Sequence, residues 1–68
     1  MEAGDLVVDQ FFRTRECADG VAFCVLPKDS LEPNKIHGQL VFKTEKGDWF
    51  FTSHIRVLHP NDNVEIIS

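Results

Sequence analysis

The sequence predicts an all-β fold: a small five-stranded barrel or curled antiparallel meander, with residues 1–68 as one domain. Three observations carry that expectation. Turn-forming residues recur at short intervals, at Gly4-Asp5, Asp19-Gly20, Pro27 to Asn34, Lys46-Gly47 and Pro60 to Asn63. β-Branched and aromatic residues cluster between these marks, the composition of pleated surfaces. The spacing leaves little room for helices.

The first run, Asp5 to Arg15, is apolar at Leu6 and Val8, then at Phe11 and Phe12. The phase shifts between the two pairs, which predicts a bulge or bend near Asp9-Gln10. The second run, Val21 to Leu26, is continuously apolar and ends at Pro27. Such a run suits a central strand covered on both faces. Asp29-Ser30-Leu31-Glu32 has room for one helical turn before Pro33 forbids more. The third run covers Lys35 to Thr44 and the fourth Asp48 to Leu58. Gly38 inside the third run marks a bulge or a close approach of another backbone.

Between the third and fourth runs, a loop of Thr44-Glu45-Lys46-Gly47 with Gly47 left-handed spares Lys46 a positive φ. It pairs Lys43 with Asp48, Phe42 with Trp49, Val41 with Phe50 and Leu40 with Phe51. One face then gathers Leu40, Phe42, Trp49 and Phe51, a gain expected to outweigh the preference for a three-residue turn. The apolar phase continues through Ile55 and Val57. A turn at His59 to Asn63 leads to a last short strand, Val64 to Ile67.

This layout is similar to that of SH3-like barrels, in which a start like Gly4-Asp5-Leu6-Val7 and a closing short strand are common. The resemblance is one of layout; no motif names a family.

Composition narrows the function. Eleven acidic residues against 7 Lys plus Arg give net −4 and a pI near 5.1. That balance repels phosphate backbones unless a local basic patch intervenes. No stretch reads as a signal peptide or a membrane span, so a cytoplasmic protein without a membrane partner is expected. Cys17 and Cys24 flank a turn at Ala18-Asp19-Gly20. At ~3.3 Å per residue along paired strands, their Cα atoms exceed the ~7 Å reach of a disulfide. Two reduced thiols are expected, with Cys24 in the core.

No catalytic constellation emerges. Ser53 and His54 are strand neighbours whose side chains diverge, and burial deactivates Cys24 as a nucleophile. His37, His54 and His59 match no zinc spacing. The glycines are scattered singly, so no phosphate cradle forms. The expectation is a non-enzymatic chain with no metal and no cofactor.

Two features stand above background. Phe11-Phe12 and Trp49-Phe50-Phe51 are adjacent aromatics, so one member of each group faces away from a single-layer core. Phe50 and either Phe11 or Phe12 are expected at the surface, unless the loop at 27–34 covers them. The candidate binding set is Phe11, Phe12, Val41, Lys43, Trp49, Phe50 and Arg56. The second feature is a basic strip of Arg13, Arg15, Lys43, His54 and Arg56 beside Phe50, which would stack single-stranded nucleic acid. Solvated outer-face charges explain the same residues. The chain is read as a protein-binding or regulatory module, an accessory subunit or stoichiometric inhibitor of bacterial or phage type. Its partner is another protein or a second copy, with a single-stranded nucleic-acid binder as the alternative.

Overall fold

In the computed structural model, which describes residues 1–27 and 34–67, a short 3-10 turn at Ala3–Asp5 precedes five strands. The strands are β1 (Phe11–Arg13), β2 (Val21–Val25), β3 (Ile36–Lys43), β4 (Trp49–Leu58) and β5 (Glu65–Ile66). They form one antiparallel sheet in the order β4-β3-β2-β1-β5. The sheet is not closed, so the architecture is a curled meander. Both β4 and β5 are edges. No helix among the described residues is long and apolar enough to cross a membrane. The expected turn over Asp29 to Glu32 lies outside the described residues.

The sheet has two apolar faces of unequal depth. The main core contains Phe12, Phe23, Val25, Ile36 and Leu58, roofed by Ala3, Leu6 and Val64. Phe12 stacks on Phe23 with centroids 5.6 Å apart. Burying side chains of this size contributes roughly 1.5–3 kcal/mol each. The opposite face carries Ala22, Cys24 and Val41 beneath Phe11, Trp49 and Ile67. Strand β2 sits between the two, with Ala22 to Val25 all buried, as its unbroken apolar run predicts.

The roof is tied down by backbone. Ala3 N–H donates to Asp62 O and Gly4 N–H to Pro60 O, both at 2.8 Å, and Val64 N–H donates to Met1 O at 2.7 Å. Beside it, His59 N–H donates to Asp62 Oδ2 at 3.0 Å, closing the expected turn.

Three expectations need correction. The first run breaks where the phase shift places a bend, near Asp9-Gln10, but as a turn between a loop and β1 rather than as a bend within one strand. Asp9 takes φ 69° and donates its N–H to Val25 O, so a turn separates β1 from Leu6, and Val7 and Val8 face water.

The β3–β4 hairpin takes the three-residue turn. Thr44 N–H donates to Asp48 O at 2.7 Å and Gly47 N–H to Thr44 O at 2.9 Å, with Gly47 at φ 88°. Thr44 Oγ1 also accepts from Asp48 N–H at 3.1 Å. The register is therefore Lys43 to Trp49, Phe42 to Phe50 and Val41 to Phe51. The longer loop gains only if the sheet has a single apolar face; aromatics lie on both, so either register sorts them. Turn geometry then decides. Lys43 beside Trp49 costs nothing, because its ammonium lies 5.9 Å from the ring centroid.

Gly38 answers to side chains rather than to a neighbouring backbone. A β-carbon there would meet Phe12 Cζ at 2.9 Å and Phe23 Cβ at 3.0 Å. The irregularity in this part of the sheet lies instead between Gln39 and Val41, on the β4 side.

Candidate docking edge

Strand β4 has a neighbour on one side only. Which of its amides face that neighbour follows from β3. Lys43 N–H donates to Gly20 O at 2.7 Å, and Leu26 N–H donates to His37 O at 2.8 Å. Lys43 and His37 thus bond toward β2. Antiparallel alternation makes their β4 partners, Trp49 and Val57, residues whose N–H and C=O point away from β3. Phe51 and Ile55 follow by the same parity. Trp49, Phe51, Ile55 and Val57 therefore present their backbone to the open edge.

A bulge divides this row. Gln39 pairs with Ile55 and Val41 with Phe51, so Thr52, Ser53 and His54 stand opposite Leu40 alone. Side chains pin it. Gln39 Nε2 donates to Thr52 O at 2.7 Å, and Thr52 Oγ1 donates to Leu40 O at 3.0 Å while accepting from His54 N–H at 3.1 Å. The bulge inserts two residues, which preserves side-chain parity. Phe51, Ile55 and Val57 stay on one face, as the apolar phase predicts.

The same strand is rich in exposed apolar surface. Phe50 is 62% exposed, Phe51 48%, Val57 44% and Ile55 39%. Phe51 and Trp49 flank Phe11, with centroids 6.0 Å and 5.4 Å from it, making an aromatic cluster on the shallow face. Phe42 and its partner Phe50 project from the other face. Lysine and proline, the usual guards of an edge, are absent from β4.

Comparison with known proteins adds no name. No family model, no curated protein and no solved structure matches this chain.

The expected binding residues separate into two groups. Phe50 and Lys43 are exposed, Trp49 is half-buried on the edge strand, and Phe11 is half-buried on the interior strand β1. Phe12 and Val41, at 0% exposure, do not belong to the surface. Alternation on β1 sends Phe12 into the main core, and Val41 is buried in the shallow cluster below Trp49. Arg56 is committed locally: its guanidinium pairs with Glu16 at 3.1 Å and lies 6.0 Å from the Phe23 ring. Phe51, Ile55 and Val57 join the surface set, since the face they share ends at an open edge.

The basic strip does not assemble. Arg13 donates to Cys17 O and Ala18 O at 3.2 and 3.1 Å and lies 3.8 Å from Asp19. Strand parity puts Lys43 and Arg56 on opposite faces. A hollow of about 330 Å³ beside Trp49 is lined by Arg13 and Lys43 but also by Glu65, so it favours neither sign of charge.

Both cysteines are free thiols. Burial, and secondarily the Asp9 carboxylate, push the Cys24 thiol above its ordinary value. Among the described residues, no three His, Cys, Asp or Glu side chains gather where a metal could bind.

Proposed function

We propose that this chain is a protein-docking module that takes a β-strand of its partner along the free edge of β4. One observation carries the reading. The residues whose amides point off the sheet include Phe51, Ile55 and Val57, whose side chains are themselves exposed. A strand laid there would gain main-chain hydrogen bonds and an apolar face together, the two ingredients of strand-addition recognition. Such a module suits an accessory subunit or a stoichiometric inhibitor, whose work is done by occupying a surface. The single-stranded nucleic-acid alternative has less support, because its cations are dispersed and partly paired.

The test is a double substitution, Phe51→Lys with Ile55→Lys, which places charge on the docking row but spares the main core. Co-purification from the native host is expected to lose its fixed-stoichiometry partner while circular dichroism stays unchanged. Retention of that partner by the folded double variant would refute docking at β4.

A further inference from the structure

We infer that the strand taken up by β4 is β4 of a second copy, run antiparallel about a two-fold axis at Ser53. This rests on the strand-docking reading and names the occupant. Its first support is the spacing of the open row. Trp49 and Phe51 precede the bulge, and Ile55 and Val57 follow it at mirrored distances from Ser53. Reversed about that residue, Trp49 meets the second copy's Val57 and Phe51 meets its Ile55. Only outward-facing residues then exchange hydrogen bonds, on both sides of the axis.

The bulge itself selects the occupant. An unbulged strand can follow the edge from Trp49 to Phe51 or from Ile55 to Leu58. Across the insertion it falls out of step. A strand carrying the same insertion at the mirrored place stays in register throughout, and a second copy of this chain supplies that strand. Isologous pairing of this kind is also the commonest symmetry of homo-oligomers.

Charge agrees. None of the 11 carboxylate side chains lies within β3 or β4, and the ones nearest β4 are Asp48, just before Trp49, and Glu16, paired with Arg56. Repulsion between the rest of the two copies is screened over about 8 Å at physiological salt. The two-fold sets Arg56, already paired with Glu16, opposite the second copy's exposed Phe50 rather than opposite another cation. A two-fold at Arg56, the other way to align Ile55 with Val57, would oppose two guanidinium groups.

The exposed area sets the strength. Phe42, Phe50 and Phe51 are 41%, 62% and 48% exposed. At about 200 Å² for a whole ring, that leaves on the order of 300 Å² of ring surface in water. Standard interfaces bury about 800 Å² per partner. Trp49, Ile55, Val57 and the strand backbone close only part of the difference, so the dimer is expected to hold at about micromolar Kd or weaker.

Sedimentation of the purified chain from micromolar to millimolar concentration, with amide hydrogen exchange followed by NMR, tests this. The mass is expected to double. The amides of Trp49, Phe51, Ile55 and Val57 should slow by about tenfold or more as it does, while those of Phe50, Arg56 and Leu58 stay protected throughout. Val57→Pro, which removes an outward donor and no bond to β3, is expected to give a folded monomer. Should it fail to fold, Phe51→Lys serves in its place. A chain that stays monomeric at millimolar concentration overturns the inference, as does a dimer whose four outward amides still exchange freely. A folded variant that still dimerises does the same. If the chain is monomeric yet its host partner is lost with the double lysine variant, docking at β4 stands and self-pairing falls.

Discussion

The ring of Phe12 lies so close to Gly38 that a β-carbon on residue 38 would stand 2.9 Å from Phe12 Cζ, with Phe23 Cβ at 3.0 Å on its other side. The absent side chain leaves the space that the stacked ring pair occupies. Gly38→Ala is therefore expected to destabilise the fold by about 1–3 kcal/mol, the usual cost of overpacking a filled core. Urea unfolding of the two proteins measures it, and equal midpoints would show that the ring can move aside.

Gly47 is required for a different reason. Nothing lies within 4 Å of a β-carbon placed there, but its φ of 88° is left-handed. Gly47→Ala should cost about 1–2 kcal/mol through the backbone alone. Gly47→Asn should cost less, because Asn tolerates that region better. Thermal unfolding of both variants separates this conformational cost from the steric one at Gly38.

One hydroxyl makes two of the three side-chain bonds at the bulge. Thr52→Val keeps the shape and removes the bonds to Leu40 O and from His54 N–H. A loss of about 1–2 kcal/mol is expected, as each net hydrogen bond contributes roughly 0.5–1.5 kcal/mol. Hydrogen exchange at His54 should accelerate with it. An unchanged midpoint would mean that Gln39 Nε2 holds the bulge unaided.

Cys24 should make the fold sensitive to alkali. Its thiol titrates above the ordinary 9.0 in the folded state, chiefly through burial and secondarily through Asp9. The folded state therefore keeps a proton that the unfolded chain gives up first. This contribution is complete below the unfolded value and declines as pH rises from about 9 through the raised folded one. Cys24→Ala is expected to flatten that part of the stability profile. Equal slopes for the two proteins between pH 8 and about 10.5 would refute the assignment. Thiol reagents should likewise reach Cys24 only as fast as the chain opens.

The meander was legible because its signals are local: turn residues at short intervals and the unbroken run of β2. Register was not. Strand parity discriminates only when one face is polar, and Phe42 with Phe50 on one side balances Trp49 with Phe51 on the other. In the first run the break near Asp9-Gln10 was legible, but the extent of the strand was not. Leu6 and Val8 alternate as a strand would, but Asp9 turns left-handed and ends the extended path. Exposure of Phe50 could be read from three consecutive aromatics. Exposure of Phe51, Ile55 and Val57 could not, because periodicity assigns a residue to a face without saying whether the sheet continues beyond it. The carboxylate-free character of Ile36–Lys43 and Trp49–Leu58 was a signal available in the residues.

The roof over the main core joins residues from the two ends of the described chain, Met1 to Gly4 with Pro60 to Val64. On the ribosome the first group emerges long before the second has been made. Leu6 and Phe12 must then wait without their roof until Pro60 to Val64 have been made. Closure of this domain thus waits for its last-made segment, and chains truncated before Pro60 would be natural clients for chaperones and proteases.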